Sequence, residues 1–242
     1  MRDWDYKPAG DAGLKPSDQW RSLNREAGLP SAIAHGAWCA LTEGYLRSYH
    51  RLRVTGREHL PRRPPFVVVA NHASHLDALT LAVGLPWHLR SCAFPIAAGD
   101  TFFETKATAA FAAIFLNALP MWRKRCGSHA METLRERLVE GNAIYLLFPE
   151  GTRTRDGVMA EFRAGIGMIV AGTAVPVVPA WLGGCFAAMP PKTRLPRPAA
   201  ISLRFGAPRI FESIADDRAG WREVAAALEN DVRSLGLAEQ AR

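Results

Sequence analysis

The apolar pattern of the chain is densest at two short stretches. Residues 66–70 (FVVVA) are apolar at every position, and so are residues 144–148 (IYLLF). Short unbroken runs of branched and aromatic residues read as strands buried on both faces. Each run ends at a polar loop: Asn71-His72-Ala73-Ser74-His75-Leu76-Asp77 after the first, Pro149-Glu150-Gly151-Thr152-Arg153-Thr154-Arg155-Asp156-Gly157 after the second. Open α/β sheets collect their ligands at the carboxyl ends of strands, so chemistry is expected at these loops.

Around the two strands, helical and extended periods alternate. Residues 1–30 lack a period and read as an irregular arm that packs through Trp4, Tyr6 and Trp20 or stays loose. Residues 31–51 carry Ile33, Ala37, Trp38, Leu41, Tyr45 and Leu46 near one stripe, with Arg47, His50, Arg51 and Arg53 gathering at its end. This helix either covers the sheet or leans on an anionic bilayer. A short strand follows at 52–55, a helix at 76–83 and a strand at 89–97. The charge-poor segment 105–119 reads as a buried helix or as an acyl-chain or membrane contact. Residues 121–125 read as a strand end turning basic, 128–140 as a surface helix and 162–171 as a helix with close-approach glycines. The strand at 175–182 carries Pro176 and Pro179, which places it near an edge or exiting the sheet. A strand at 201–205 and an amphipathic helix at 221–235 close the chain. The alternation predicts an α/β fold, a mainly parallel sheet flanked by helices, after an N-terminal helical segment. Two units are expected: residues 1–50, an arm and amphipathic helix with possible membrane contact, and residues 51–242, the α/β domain.

Composition narrows the function classes. The 242 residues are 48% hydrophobic, enough for a sizeable core. No apolar run reaches the roughly 18 residues that a bilayer span needs. The charged, aromatic N-terminus lacks a signal-peptide core, so a cytosolic location is expected. A net charge of +7 implies an anionic partner. Helix-turn-helix cues and aromatic RNA-binding motifs are absent, which disfavours nucleic acid. Cys39, Cys92, Cys126 and Cys185 form no CxxC pair, so reduced thiols are expected.

His72 and Asp77 are the first candidates for chemistry. Histidine suits proton removal near neutral pH, and a carboxylate on its second ring nitrogen sets the tautomer. Ser74-His75-Leu76-Asp77 also fits a capping box, and the two roles are compatible because a carboxylate has two oxygens. His72, His75 and Asp77 are ligand types, but no further cluster completes a metal site. A Gly-x-Ser-x-Gly elbow and a P-loop are also missing. In the second loop, arginines beside Gly151 suit a phosphate, and Glu150 is expected to pair with Arg153 or Arg123.

Together these residues resemble the glycerolipid acyltransferase family over roughly residues 51–211. Asn71-His72-Ala73-Ser74-His75-Leu76-Asp77 is similar to its first motif, and Leu119-Pro120-Met121-Trp122-Arg123 to its second. Phe148-Pro149-Glu150-Gly151-Thr152-Arg153 matches the third, and Val175-Pro176-Val177-Val178-Pro179 is similar to the fourth. The resemblance implies transfer of an acyl group from acyl-CoA or acyl-carrier protein to a lysophospholipid hydroxyl, with His72 as base and Asp77 orienting it. It implies phosphate binding by Arg123, Glu150, Gly151, Thr152 and Arg153. It implies no metal and no cofactor beyond the thioester co-substrate, and peripheral attachment to the cytoplasmic side of an anionic membrane. An acyl groove is expected along Phe111, Ile114, Phe115 or Trp181. A thioester hydrolase and an inactive lipid-binding protein are the alternatives. The sequence is silent on oligomeric state.

Overall fold

The computed structural model describes residues 11, 13–25, 29–121, 128–193 and 195–240. Its elements in chain order are α1 (Pro16–Gln19), α2 (Leu29–Ser48), β1 (Arg53–Thr55), β2 (Phe66–Ala70), α3 (Leu76–Gly84), α4 (Trp87–Arg90), β3 (Ala93–Ala98), α5 (Gly99–Phe102) and α6 (Lys106–Ile114). There follow β4 (Leu119–Met121), α7 (Ser128–Glu140), β5 (Ile144–Leu147), α8 (Gly165–Val170), β6 (Val177–Gly183), α9 (Cys185–Ala188), β7 (Ser202–Phe205) and α10 (Arg218–Gln240). The strands form one sheet in the order β1-β7-β6-β2-β5-β3-β4. All neighbours run parallel except β6 and β7.

The apolar runs explain the centre of this sheet. β2 lies between β5 and β6, and all five of its side chains are enclosed. Strand alternation sends Val67 and Val69 to one face with Tyr145, Leu147 and Val177, under residues of α7, α8 and α10. Phe66, Val68 and Ala70 go to the other face with Ile144, Leu146 and Val178, under α3 and Leu46 of α2. Each enclosed valine or leucine contributes about 1.5–3 kcal/mol relative to exposure. A Cβ on Gly167 would sit 2.3 Å from the Trp221 Cα, so this glycine sets how closely α8 approaches α10.

Three expectations change. β6 is not near an edge, since it pairs with β2 on one side and β7 on the other. Pro176 precedes the strand and accepts the Val67 N–H. Pro179 accepts the Gly206 N–H just past the Ala180–Phe205 rung, so its missing donor falls where the β7 ladder ends. The helix expected at 105–119 stops at Ile114. There Asn117 adopts φ 52, and its side chain donates to the Ala93 carbonyl at 3.0 Å and accepts from Arg25 at 2.9 Å. The strand expected at 89–97 starts at Ala93, because residues 87–90 form α4. In the N-terminal arm Trp20 packs against the Phe103 cluster, whereas Trp4 and Tyr6 lie outside the described residues.

Candidate active site

Parallel pairing of β2 with β5 brings their two loops to one edge of the sheet. The loops are tied through the backbone of His72. Its N–H donates to Glu150 Oε1 at 2.6 Å, and its carbonyl accepts the Thr154 N–H at 2.9 Å. The Phe148 ring stacks on the His72 imidazole with centroids 4.2 Å apart. Just before His72, Asn71 extends the β2–β6 ladder with its side chain, donating to the Leu182 carbonyl at 3.0 Å and accepting the Leu182 N–H at 2.8 Å.

Asp77 enters from the first turn of α3 with 0% side-chain exposure, while His72 retains 22%. Asp77 Oδ2 accepts from His72 Nδ1 at 2.8 Å and from the N–H groups of Ala73 and Ser74 at 2.6 and 2.7 Å. Capping and histidine orientation therefore share one oxygen, whereas the sequence suggested one oxygen for each. Ser74 Oγ accepts the Leu76 N–H and donates to the Met189 carbonyl, which fastens the loop to the segment after α9. With a proton on Nδ1 donated to the carboxylate, the Nε2 lone pair is free to accept a proton.

Glu150 does not pair with arginine among the described residues. Its second oxygen accepts the Ala160 N–H at 2.9 Å, so the buried carboxyl braces two loops. Burial pushes its pKa above the ordinary carboxylate value, partly offset by the Ala160 and His72 N–H donors. Arg153 is half-buried, and its Nη1 is enclosed without a hydrogen-bond partner among the described residues. The His75 pKa falls below the ordinary imidazole value through partial burial first, then through the charges of Arg153 and His72. Gly151 has φ 74, and the Arg163 guanidinium lies so close that a Cβ there would be 3.0 Å from its Nε. Thr152 is exposed on the same loop. Arg123 lies outside the described residues.

Sequence reasoning missed Arg163, Phe148 as the stacking partner, and Thr154 as the clamp on the His72 carbonyl. Arg163 lies just before α8, which begins at Gly165, whereas the helix expected at 162–171 placed it inside. Phe148 was legible only as the end of an apolar run.

The four acyl-groove candidates do not share one surface. Phe115 lines an apolar groove of about 290 Å³ with Trp38 of α2, Ala78 and Leu79 of α3, and Pro95. Phe111 meets Trp38 edge-on with centroids 5.5 Å apart, and Ile114 lines a neighbouring groove beside Trp20 and His35. Trp181 is on the opposite face of the sheet, where strand alternation turns it under α10 and against Gly236.

A family model described as acyltransferase matches residues 51–183, more than half the chain and spanning both loops. The chain belongs to the glycerolipid acyltransferase family. The chain is 33% identical over 131 residues to the sheep 1-acyl-sn-glycerol-3-phosphate acyltransferase alpha, covering 53% of the chain and 44% of that protein. It is 31% identical over 188 residues to a 1-acyl-sn-glycerol-3-phosphate acyltransferase of Chlamydomonas reinhardtii, covering 72% of the chain and 51% of the relative. The chain thus spans about half the length, or less, of these curated relatives. The crystal structure of the 1-acyl-sn-glycerophosphate acyltransferase from Thermotoga maritima shares the fold, with a TM-score of 0.66 at 24% identity over 87% of this chain and 80% of that one.

Proposed function

We propose that the protein moves a fatty acyl group from acyl-CoA or acyl-carrier protein to the free hydroxyl of a lysophospholipid, with 1-acylglycerol-3-phosphate, giving phosphatidate, as the leading acceptor. The observation that carries this reading is the 2.8 Å bond from His72 Nδ1 to the enclosed Asp77 carboxylate, which leaves Nε2 free beside the Arg153 loop. Nε2 takes the acceptor's hydroxyl proton as the oxygen attacks the thioester carbonyl. The tetrahedral intermediate collapses with expulsion of thiolate, and the imidazolium returns the proton to the sulfur. Asp77 stabilises the imidazolium in between. The thioester supplies the driving force, so this route uses no metal and no covalent acyl-enzyme.

The acceptor phosphate is assigned to Arg153, Gly151, Thr152 and Arg163, with Arg123 as a further candidate and Glu150 as the brace that holds the loop. A guanidinium nitrogen without a hydrogen-bond partner among the described residues leaves a donor for the phosphate. The acyl chain is assigned to the groove that begins at Ala78, next to Asp77, and passes Leu79, Trp38 and Phe115.

Attachment to the surface of an anionic membrane, on its cytoplasmic side, is supported by α2. Its outward residues are Ala32, Ile33, Ala37, Ala40, Leu41, Gly44 and Tyr45, with Arg47 and Ser48 at its end, whereas His35, Cys39, Thr42 and Leu46 face inward. Ile33 and Leu41 are 65% and 67% exposed. Among the described residues no helix is long and apolar enough to cross a membrane. In this reading residues 1–50 supply the membrane-facing segment and residues 51–242 the catalytic unit.

Thioester cleavage measured with and without lysophospholipid tests the proposal, using a panel of headgroups and both donors. Release of thiol that requires acceptor and yields an equal amount of diacyl product is expected. Equally fast release without acceptor would replace transfer by hydrolysis.

A further inference from the structure

Asp77 leaves one oxygen to be explained. Oδ2 takes three donors, whereas Oδ1 is enclosed and accepts no hydrogen bond of ordinary geometry among the described residues. A buried carboxylate oxygen without a donor is costly, so the groups around it matter. One turn along α3 stands Thr80, which is also enclosed, and its Oγ1 lies 4.0 Å from Cys185 Sγ. Cys185 opens α9 and is buried. It reaches this position because Gly184, at φ 78, turns the chain straight from β6 into α9; a Cβ there would lie 2.0 Å from the Ala200 carbonyl oxygen. The thiol is close enough to the Asp77 carboxylate to be acted on by its charge. Burial first, and then that carboxylate, push its pKa well above the ordinary thiol value, so it remains a protonated donor.

We propose that the Cys185 S–H donates to Asp77 Oδ1 while the Thr80 hydroxyl donates to the sulfur, making Cys185 a positioning residue for the His72–Asp77 pair. Asp77 is then held on both oxygens and cannot swing its second oxygen onto the imidazole. A thiol is a weak donor, so it orients the carboxylate without drawing much of its charge away from His72. The other ionisable groups facing the pair or the thiol are Glu150 from the loop after β5, His75 and Arg153 at the mouth, and Glu239 from α10.

The inference rests on His72 acting as the base, so its test needs a readout independent of acyl transfer. Cys185→Ala and Cys185→Ser in the full chain are compared by NMR titration of the His72 ring and by the acid limb of the kcat/KM profile. Removing the donor makes the carboxylate more basic, so Cys185→Ala is expected to move both to higher pH, by about half a unit. A hydroxyl is a stronger donor, so Cys185→Ser is expected to move both to lower pH and to retain kcat within about threefold of wild type. Should Cys185→Ala fail to fold, Thr80→Val, which frees the thiol, is expected to shift the ring titration upward by a smaller amount. Folded Cys185→Ala and Cys185→Ser proteins whose His72 titrations both match wild type would overturn the proposal. A shifted titration in a protein with no acyl transfer would uphold it while rejecting the proposed function.

Discussion

At the scale of single residues, Glu150 and Arg153 illustrate two different consequences of burial. Glu150 uses both oxygens on backbone N–H groups, so Glu150→Gln turns an amide donor toward one of them. A loss of about 1–3 kcal/mol in stability is expected, read from thermal or denaturant melts. The pH dependence has a definite sign. The Glu150 carboxyl titrates higher in the folded protein than in the unfolded chain, so its contribution is fully present below the ordinary glutamate range. That contribution is lost as pH rises through the folded value, and the decline should be absent in the Gln variant. Arg153 instead keeps a nitrogen without a partner among the described residues, so Arg153→Ala should leave the melt near wild type. It should raise KM for a phosphate-bearing acceptor about 10- to 100-fold and leave KM for the thioester unchanged. An equal rise for an acceptor lacking phosphate would remove Arg153 from phosphate binding. The contact between His72 and Asp77 was legible in their residue types and spacing, which equally suited a capping box. The role of Glu150 was not, since a carboxylate among arginines suggests an ion pair until the backbone donors are in view.

At the scale of elements, α2 is apolar on the outside. Periodicity revealed its stripe but not its direction, because an apolar face reads alike whether it meets a sheet or a lipid. The inward positions settle the orientation: His35 lies 2.8 Å from the Phe115 carbonyl, and Arg90 pairs with Glu43 at 2.7 Å. Leu41→Asp should therefore cost little stability and reduce co-sedimentation with anionic vesicles about tenfold or more. A melt several degrees lower with unchanged vesicle binding would assign Leu41 to packing instead. The position of β6 was misread for a related reason. Proline is excluded from a central strand only where its N–H is required, and pairing partners far away in the chain decide that. The face that Trp181 occupies was not legible, because its alternation with Val177 could be oriented only once α10 was seen to cover that side.

At the scale of the molecule, the site exists because β2 and β5 are parallel neighbours although 73 residues separate Ala70 from Ile144. The mainly parallel, helix-flanked architecture was legible in the alternating periods. The strand order was not, since it depends on which apolar faces find each other. Adjacency places His72 and a cationic loop on one edge, and α9, entered from β6 through Gly184, sets Cys185 beside Thr80 of α3. The central claim is that His72 removes the acceptor's proton. It is tested most directly by measuring phosphatidate formed from acyl-CoA and 1-acylglycerol-3-phosphate by wild type and His72→Ala, each shown to be folded by its melt. The expected result is acceptor-dependent product from wild type and a rate lower by about 10²- to 10⁴-fold in the variant. Wild-type rates in a folded His72→Ala protein would contradict the account.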